Sequence, residues 1–129
     1  MNHERHYTVE QANAALPWVM ERVERLRAAR DGFADEDARE ALGEATPGNG
    51  GGEPGRVVSE AFLELQAAAG ELDAMEVIVR DLERGLVDFP ALRDGREVYL
   101  CWQVDETEVG HWHAAENSYP SRLPLDPWL

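Results

Sequence analysis

Lysine is absent from this chain. All 12 basic residues are arginine, against 26 acids, for a formal charge of −14 over 129 residues. Without an ammonium group there is no Schiff-base lysine and no phosphate-loop lysine. The acid excess argues against nucleic acid and against anionic membranes as partners, because both are held through basic side chains that neutralise phosphate. Cysteine is nearly as scarce. The single thiol, Cys101, excludes an internal disulfide and a cysteine-rich zinc site. It reads as a small buried hydrophobe and not as a nucleophile. No apolar run approaches about 18 residues, so no transmembrane helix is expected. The polar start, Met1 to His6, opens no signal-peptide core. A soluble, cytoplasmic protein is the expectation. Gly-x-Ser-x-Gly is missing, and no histidine follows His6 in the helical segments, which excludes a Glu-x-x-His di-iron bundle.

What is present organises around Val58 to Leu82. Val58, Ala61, Leu65, Ala68, Leu72, Met75, Val79 and Leu82 recur at alternating steps of three and four, the seam of a helix packed lengthwise on another helix. A second seam precedes it: Ala12, Leu16, Val19, Val23 and Leu26. Thr8 and Gln11 fit a capping box that starts a helix at Val9. Pro17 lies inside this helix and predicts a kink, or a short lead-in helix followed by a long one. Thr46 to Gly55 holds five glycines and two prolines and reads as a flexible tip. Pro17–Gly43 and Val57–Glu83 are each 27 residues long, which suggests two equal arms. Gly85 is read as the residue closing the second helix.

From there the period changes to two. Leu86 to Phe89 is a short extended piece halted by Pro90, and Asp94-Gly95 is a hairpin turn. Glu97 to Val104 is a strand with Val98, Leu100, Trp102 and Val104 on one face. Val109 to His113 is its partner. The expected fold is α+β: a long antiparallel helical hairpin, kinked near Pro17, with a small antiparallel β-sheet at its base. It forms a single domain over residues 1–129, divided into a first helix arm (7–45), a flexible tip (46–55), a second arm (56–84), and a β-unit with a Pro-rich tail (86–129).

Several motifs carry a family resemblance. They are Tyr7-Thr8-x-x-x-Ala12-Asn13-x-x-Leu16-Pro17; Asp81 through Pro90; Gly95 through Trp102; Trp112-His113; and Arg122-x-Pro124-Leu125. In these the chain resembles the bacterial domain-of-unknown-function family 2203, over nearly its whole length outside the Gly-rich tip. The resemblance implies no established activity. It supports His113 and not His111, where the family pattern more often has a hydrophobic or aromatic residue.

The candidate sites cluster in the β-unit. His111 and His113 form a His-x-His on one strand face, a spacing used by metal ligands, with Glu116, Asp88 or Glu97 as a further carboxylate. His113 beside Asp88 or Glu97, with Arg96, also makes an acid–base set. Arg84 and Arg122 complete a mixed polar cluster, and the favoured reading is structural: a hydrogen-bonded patch that fixes the sheet onto the helices. Trp102, Trp112, Tyr99 and Tyr119 line a ligand groove or fill a core.

The leading reading is a non-catalytic assembly or interaction module with no cofactor, forming a homodimer through the helices. Phe62, Leu63, Val77 and Ile78 lie beside the second seam and call for another surface. The alternative is a small metal-dependent or acid–base enzyme centred on His113, for which a divalent metal is the candidate cofactor. The third reading is a small-ligand binder using Trp102 and Trp112.

Overall fold

The computed structural model describes residues 2–33, 53–115 and 122–125. Helix α1 spans Val9–Phe33 and helix α2 spans Glu53–Ala74. Five strands follow: β1 (Ile78–Asp81), β2 (Leu86–Arg93), β3 (Arg96–Gln103), β4 (His111–Ala114) and β5 (Leu123–Pro124). They form one antiparallel sheet in the order β1-β2-β3-β4-β5, each strand beside its sequence neighbour.

The capping box at the start of α1 is reciprocal. The Gln11 amide N–H donates to Thr8 Oγ1 and the Thr8 amide N–H to Gln11 Oε1, both at 3.0 Å. Two of the four orphan donors of the first turn are thereby satisfied. α1 then continues through Pro17 without a break, so the expected division into a lead-in helix and a long helix is corrected. Pro17 is exposed, and its ring lies on the solvent side, away from the seam. There its missing N–H is tolerated because Leu16, Val19 and Val23 on either side anchor the helix to the core. Ala12, Leu16, Val19, Val23 and Leu26 meet Ala68 and Leu72 of α2. Each buried Leu or Val contributes roughly 1.5–3 kcal/mol relative to exposure. Arg25 pairs with Glu64 and Glu71, and Arg22 with Glu71, along the rim of this contact.

The long hairpin with equal arms is overturned. α2 ends at Ala74, and residues expected in its last two turns form β1 instead. The termination is a Schellman motif. The Val77 N–H donates to the Leu72 carbonyl at 3.0 Å and the Glu76 N–H to the Asp73 carbonyl at 2.9 Å. Glu76 occupies the left-handed position with φ of 56°. Buried Leu72 and Val77 supply the apolar contact that goes with the motif. The β-branched run Val77-Ile78-Val79 then prefers a strand. Val79 and Leu82 pack against the core as the heptad foresaw, but from a strand and a turn. The expected tip also loses its last three residues: Glu53 to Gly55 begin α2, with Pro54 in the first turn, where its missing N–H matters least. The rest of the tip, and the arm beyond Phe33, lie outside the described residues.

Gly85 does not close a helix. With φ of +66° it shapes the β1–β2 turn, and its carbonyl accepts the Val104 N–H at 3.1 Å. Pro90 does not halt β2, which runs to Arg93. β1 pairs only as far as Asp88, so the flank of β2 at Pro90 lies beyond that edge strand. The Pro90 carbonyl accepts the Tyr7 N–H at 2.7 Å on this flank, and the proline nitrogen faces the same way, so no ladder bond is lost. Asp94 and Gly95, with φ of 53° and 77°, make the two-residue hairpin turn expected of Asp-Gly.

The β2–β3 ladder pairs Val87 with Trp102, Phe89 with Leu100, and Ala91 with Val98, and this face carries the helices. The opposite face is buried along its centre too, at Asp88, Tyr99 and Cys101. No described helix is both long and apolar enough to cross a membrane.

Candidate functional site

On the face turned away from the helices, strand alternation places Asp88 of β2, Tyr99 and Cys101 of β3, and His111 and His113 of β4. Asp88 lies opposite Cys101, and Tyr99 opposite His113. Ile78 of β1 pairs with Asp88, and strand alternation from Ile78 puts Arg80 on the same face, beside a bulge between Val79 and Asp81. Arg80 Nε donates to Asp88 Oδ2 at 2.8 Å, and His113 Nε2 lies 2.8 Å from the same oxygen. The side chains of His113 and Asp88 are 4% and 2% exposed, so this ion pair is desolvated.

The other ring nitrogen of His113 lies 2.9 Å from the Ala114 carbonyl. Both nitrogens therefore face acceptors, which assigns the imidazolium form. The hydrogen bond to Asp88 raises the pKa of His113 above its ordinary value, outweighing burial, with the Ala114 carbonyl adding to the shift. Burial pushes the Cys101 thiol up to about 12, and the neighbouring Asp88 carboxylate adds to this. At that value the thiolate is not formed near neutrality, and the thiol serves as a packed donor toward Asp88.

A second polar layer joins this face to the N-terminal segment. His3 Nε2 lies 2.9 Å from the Tyr99 hydroxyl, and His3 Nδ1 lies 3.3 Å from Glu76 Oε1. Arg80 sits 4.8 Å from the Tyr99 ring centroid. The Glu76 carboxylate also accepts the backbone N–H groups of Glu4 and Arg5, at 3.3 and 2.5 Å. Glu97 accepts those of Asn2 and His3, both at 3.2 Å, and lies 3.0 Å from His6 Nε2. Both carboxylates are held below their ordinary pKa. For Glu76 the Arg5 N–H is the leading cause. For Glu97, burial acts upward but is outweighed by the bonds from His6, His3 and Asn2.

The expected residues thus divide. Asp88 and His113 meet, while Glu97 is turned to His6 and Arg96 lies exposed beside the β2–β3 turn, outside the Asp88–His113 contact. His111 has its own carboxylate, with Nδ1 3.2 Å from Glu106 Oε2. Glu106 also takes a two-pronged contact from Arg122, at 2.7 and 2.9 Å. Glu116 and Tyr119 lie outside the described residues. Among those described, no three His, Cys, Asp or Glu side chains converge as metal ligands. Trp102 is fully buried and donates from Nε1 to the Glu106 carbonyl, so it belongs to the core; Trp112 is half-buried.

Sequence reasoning missed Arg80, His3, His6 and Glu76. The heptad seam of Val58 to Leu82 puts Arg80 within a helix, and only the helix end at Ala74 moves it to the sheet. Asn13 is a further structural element: its Oδ1 accepts the Val109 N–H at 2.7 Å, tying α1 to the segment before β4.

Searches of curated proteins and of solved structures find no match. The profile of one family does match, over residues 5–125, and this span contains α1, α2, all five strands and the Asp88–His113 pair. On that match the chain belongs to DUF2203, a family described as an uncharacterized conserved protein.

Proposed function

We propose that this protein is a non-catalytic interaction module of the cytoplasm that forms a homodimer through the exposed side of its helices. The observation that carries the non-catalytic part is the commitment of His113. One imidazole nitrogen is held by Asp88 and the other by the Ala114 carbonyl, so neither is left to exchange a proton with a substrate. A general base needs one nitrogen turned toward the reacting group. The acid–base alternative draws on the 2.8 Å contact between Asp88 and His113, and it requires the imidazole to leave one of its two partners.

The dimer rests on α2. Leu63 is 62% exposed and is followed on the same helix side by exposed Ala67, Gly70 and Ala74. A Cβ added to Gly70 would meet nothing within 4 Å, so another backbone has room to approach there. Val77 is buried and Ile78 is in β1, so these two residues no longer support the dimer.

Light scattering at micromolar concentration tests the assembly. Twice the 14.4 kDa chain mass is expected, falling to the chain mass in Leu63→Glu. A chain mass that is unchanged by salt and dilution overturns the dimer. Metal analysis of the purified protein tests the non-catalytic part. Stoichiometric zinc, iron or manganese that is lost in His113→Ala overturns it.

A further inference from the structure

Tyr99 is buried on the sheet face turned away from the helices, and the N-terminal segment lies over it. The His3 ring meets the Tyr99 ring edge-on, with centroids 5.6 Å apart and planes at 86°. Residues 2–6, Asn-His-Glu-Arg-His, include no apolar side chain, so the hydrophobic effect does not hold this segment down. Two carboxylates hold it. Glu97, two residues before Tyr99 on the same strand face, takes the amides of Asn2 and His3 and the His6 ring. Glu76 takes the amides of Glu4 and Arg5 and the His3 ring. His3 thus belongs to both anchors, its amide to Glu97 and its ring to Glu76, and losing either anchor loosens its hold on the other.

The attachment changes in kind at Tyr7. Its N–H donates to the Pro90 carbonyl and its hydroxyl to the Met75 carbonyl, both at 2.7 Å, and its ring packs edge-on against Phe89. From Tyr7 onward the chain is fixed by the core and by the cap of α1.

We propose that residues 2–6 are a latch that opens and closes as one unit about Tyr7, and that its opening uncovers Tyr99. Segments with few buried apolar contacts open at the low end of the stability range, while the sheet beneath stays folded. Closed, the latch keeps solvent from the Tyr99 ring, which itself lies against the His113 ring and beneath the Arg80 guanidinium. Open, it presents Tyr99 beside two freed carboxylates. The inference is independent of the dimer and of the commitment of His113, whose two partners both belong to the sheet.

Amide exchange by NMR on the full chain tests the unit, and nitration by tetranitromethane, mapped by mass spectrometry, tests the cover. The amides of residues 2–5 should share one protection factor, well below those of Phe89 and Leu100. Glu76→Gln and Glu97→Gln should each lower all four together by about ten-fold, as charge-assisted bonds become neutral ones, although each carboxylate binds only two of the four. Nitration of Tyr99 should rise in both variants, with Tyr7 and the Phe89 and Leu100 amides unchanged. Loss confined to the two amides that the altered carboxylate binds would overturn the single latch. Lost amide protection with unchanged Tyr99 nitration would overturn the cover, and a parallel change at Tyr7 or Phe89 would overturn the hinge.

Discussion

His113 Nε2 and Asp88 Oδ2 are 2.8 Å apart in a site from which both side chains are almost wholly excluded from water. With its second nitrogen on the Ala114 carbonyl, His113 is held as a cation between two acceptors. Its pKa in the folded chain is raised above the ordinary 6.5. Stabilisation from this pair is therefore fully present below the unfolded value and is lost as pH rises through the folded one. Urea midpoints should fall as pH rises above the ordinary value of 6.5, and the slope should flatten in His113→Gln. An unchanged slope in that variant would assign the pH dependence to another group.

Asp88 joins two cations, so removing its charge harms more than removing either partner. Asp88→Asn leaves buried His113 and exposed Arg80 facing a neutral amide and should cost about 3–5 kcal/mol, the range for breaking a buried ion pair such as His113–Asp88. Chemical denaturation measures this. A loss below about 1 kcal/mol, the range of surface pairs, would mean that the site is better hydrated than its burial indicates.

On the acid side, Glu76 and Glu97 govern the N-terminal segment. Their depressed pKa values place their contribution above the ordinary carboxylate value of 4.5, and it is lost as pH falls through the folded values. Amide shifts of residues 2–5 should move together in acid, while those of β2 and β3 stay fixed. Uniform movement of the sheet as well would show that the segment and the sheet open as one unit.

Glu76 combines a strained backbone with a useful side chain. Glu76→Gly relieves a left-handed residue, a gain of roughly 1 kcal/mol. It also removes the carboxylate that holds the Glu4 and Arg5 amides and the His3 ring. Net destabilisation is expected, read from the urea midpoint. A more stable variant would show that the helix end, and not the segment it holds, is what Glu76 limits.

The two positive-φ glycines of the sheet should respond differently to alanine. A Cβ on Gly85 would stand 2.6 Å from Val104 Cβ, so Gly85→Ala adds a clash with that side chain to backbone strain and should cost at least about 2 kcal/mol. At Gly95 nothing lies within 4 Å, and only the conformational cost of about 1 kcal/mol remains. Equal losses in thermal melts would contradict this geometry.

Local chemistry was legible in the residues themselves. Thr8 and Gln11 cap α1 because their side chains reach the orphan amides of the same turn. Asp94-Gly95 makes its hairpin because both residues accept positive φ. Val98, Leu100 and Trp102 reach the core because strand alternation leaves them no other face. The seam of α1 was read correctly for the same kind of reason, since helical periodicity is a property of consecutive residues.

Contacts across long stretches of chain decided the rest. No glycine marks the end of α2. Glu76 takes the left-handed position with its carboxylate bonded to the amides of Glu4 and Arg5, some seventy residues earlier in the chain. Once the helix stops there, the heptad residues Val79 and Leu82 keep their place against the core on a strand and a turn, because burial rewards contact and is indifferent to backbone geometry. Pro90 stays in a strand because β1 ends before it and Tyr7 bonds its carbonyl. Arg80, Asp88 and His113 come from three strands, and only the sheet register brings their charges together. A period of three and four, read from consecutive residues alone, describes a buried stripe, and the tertiary structure decided how much of that stripe is helix.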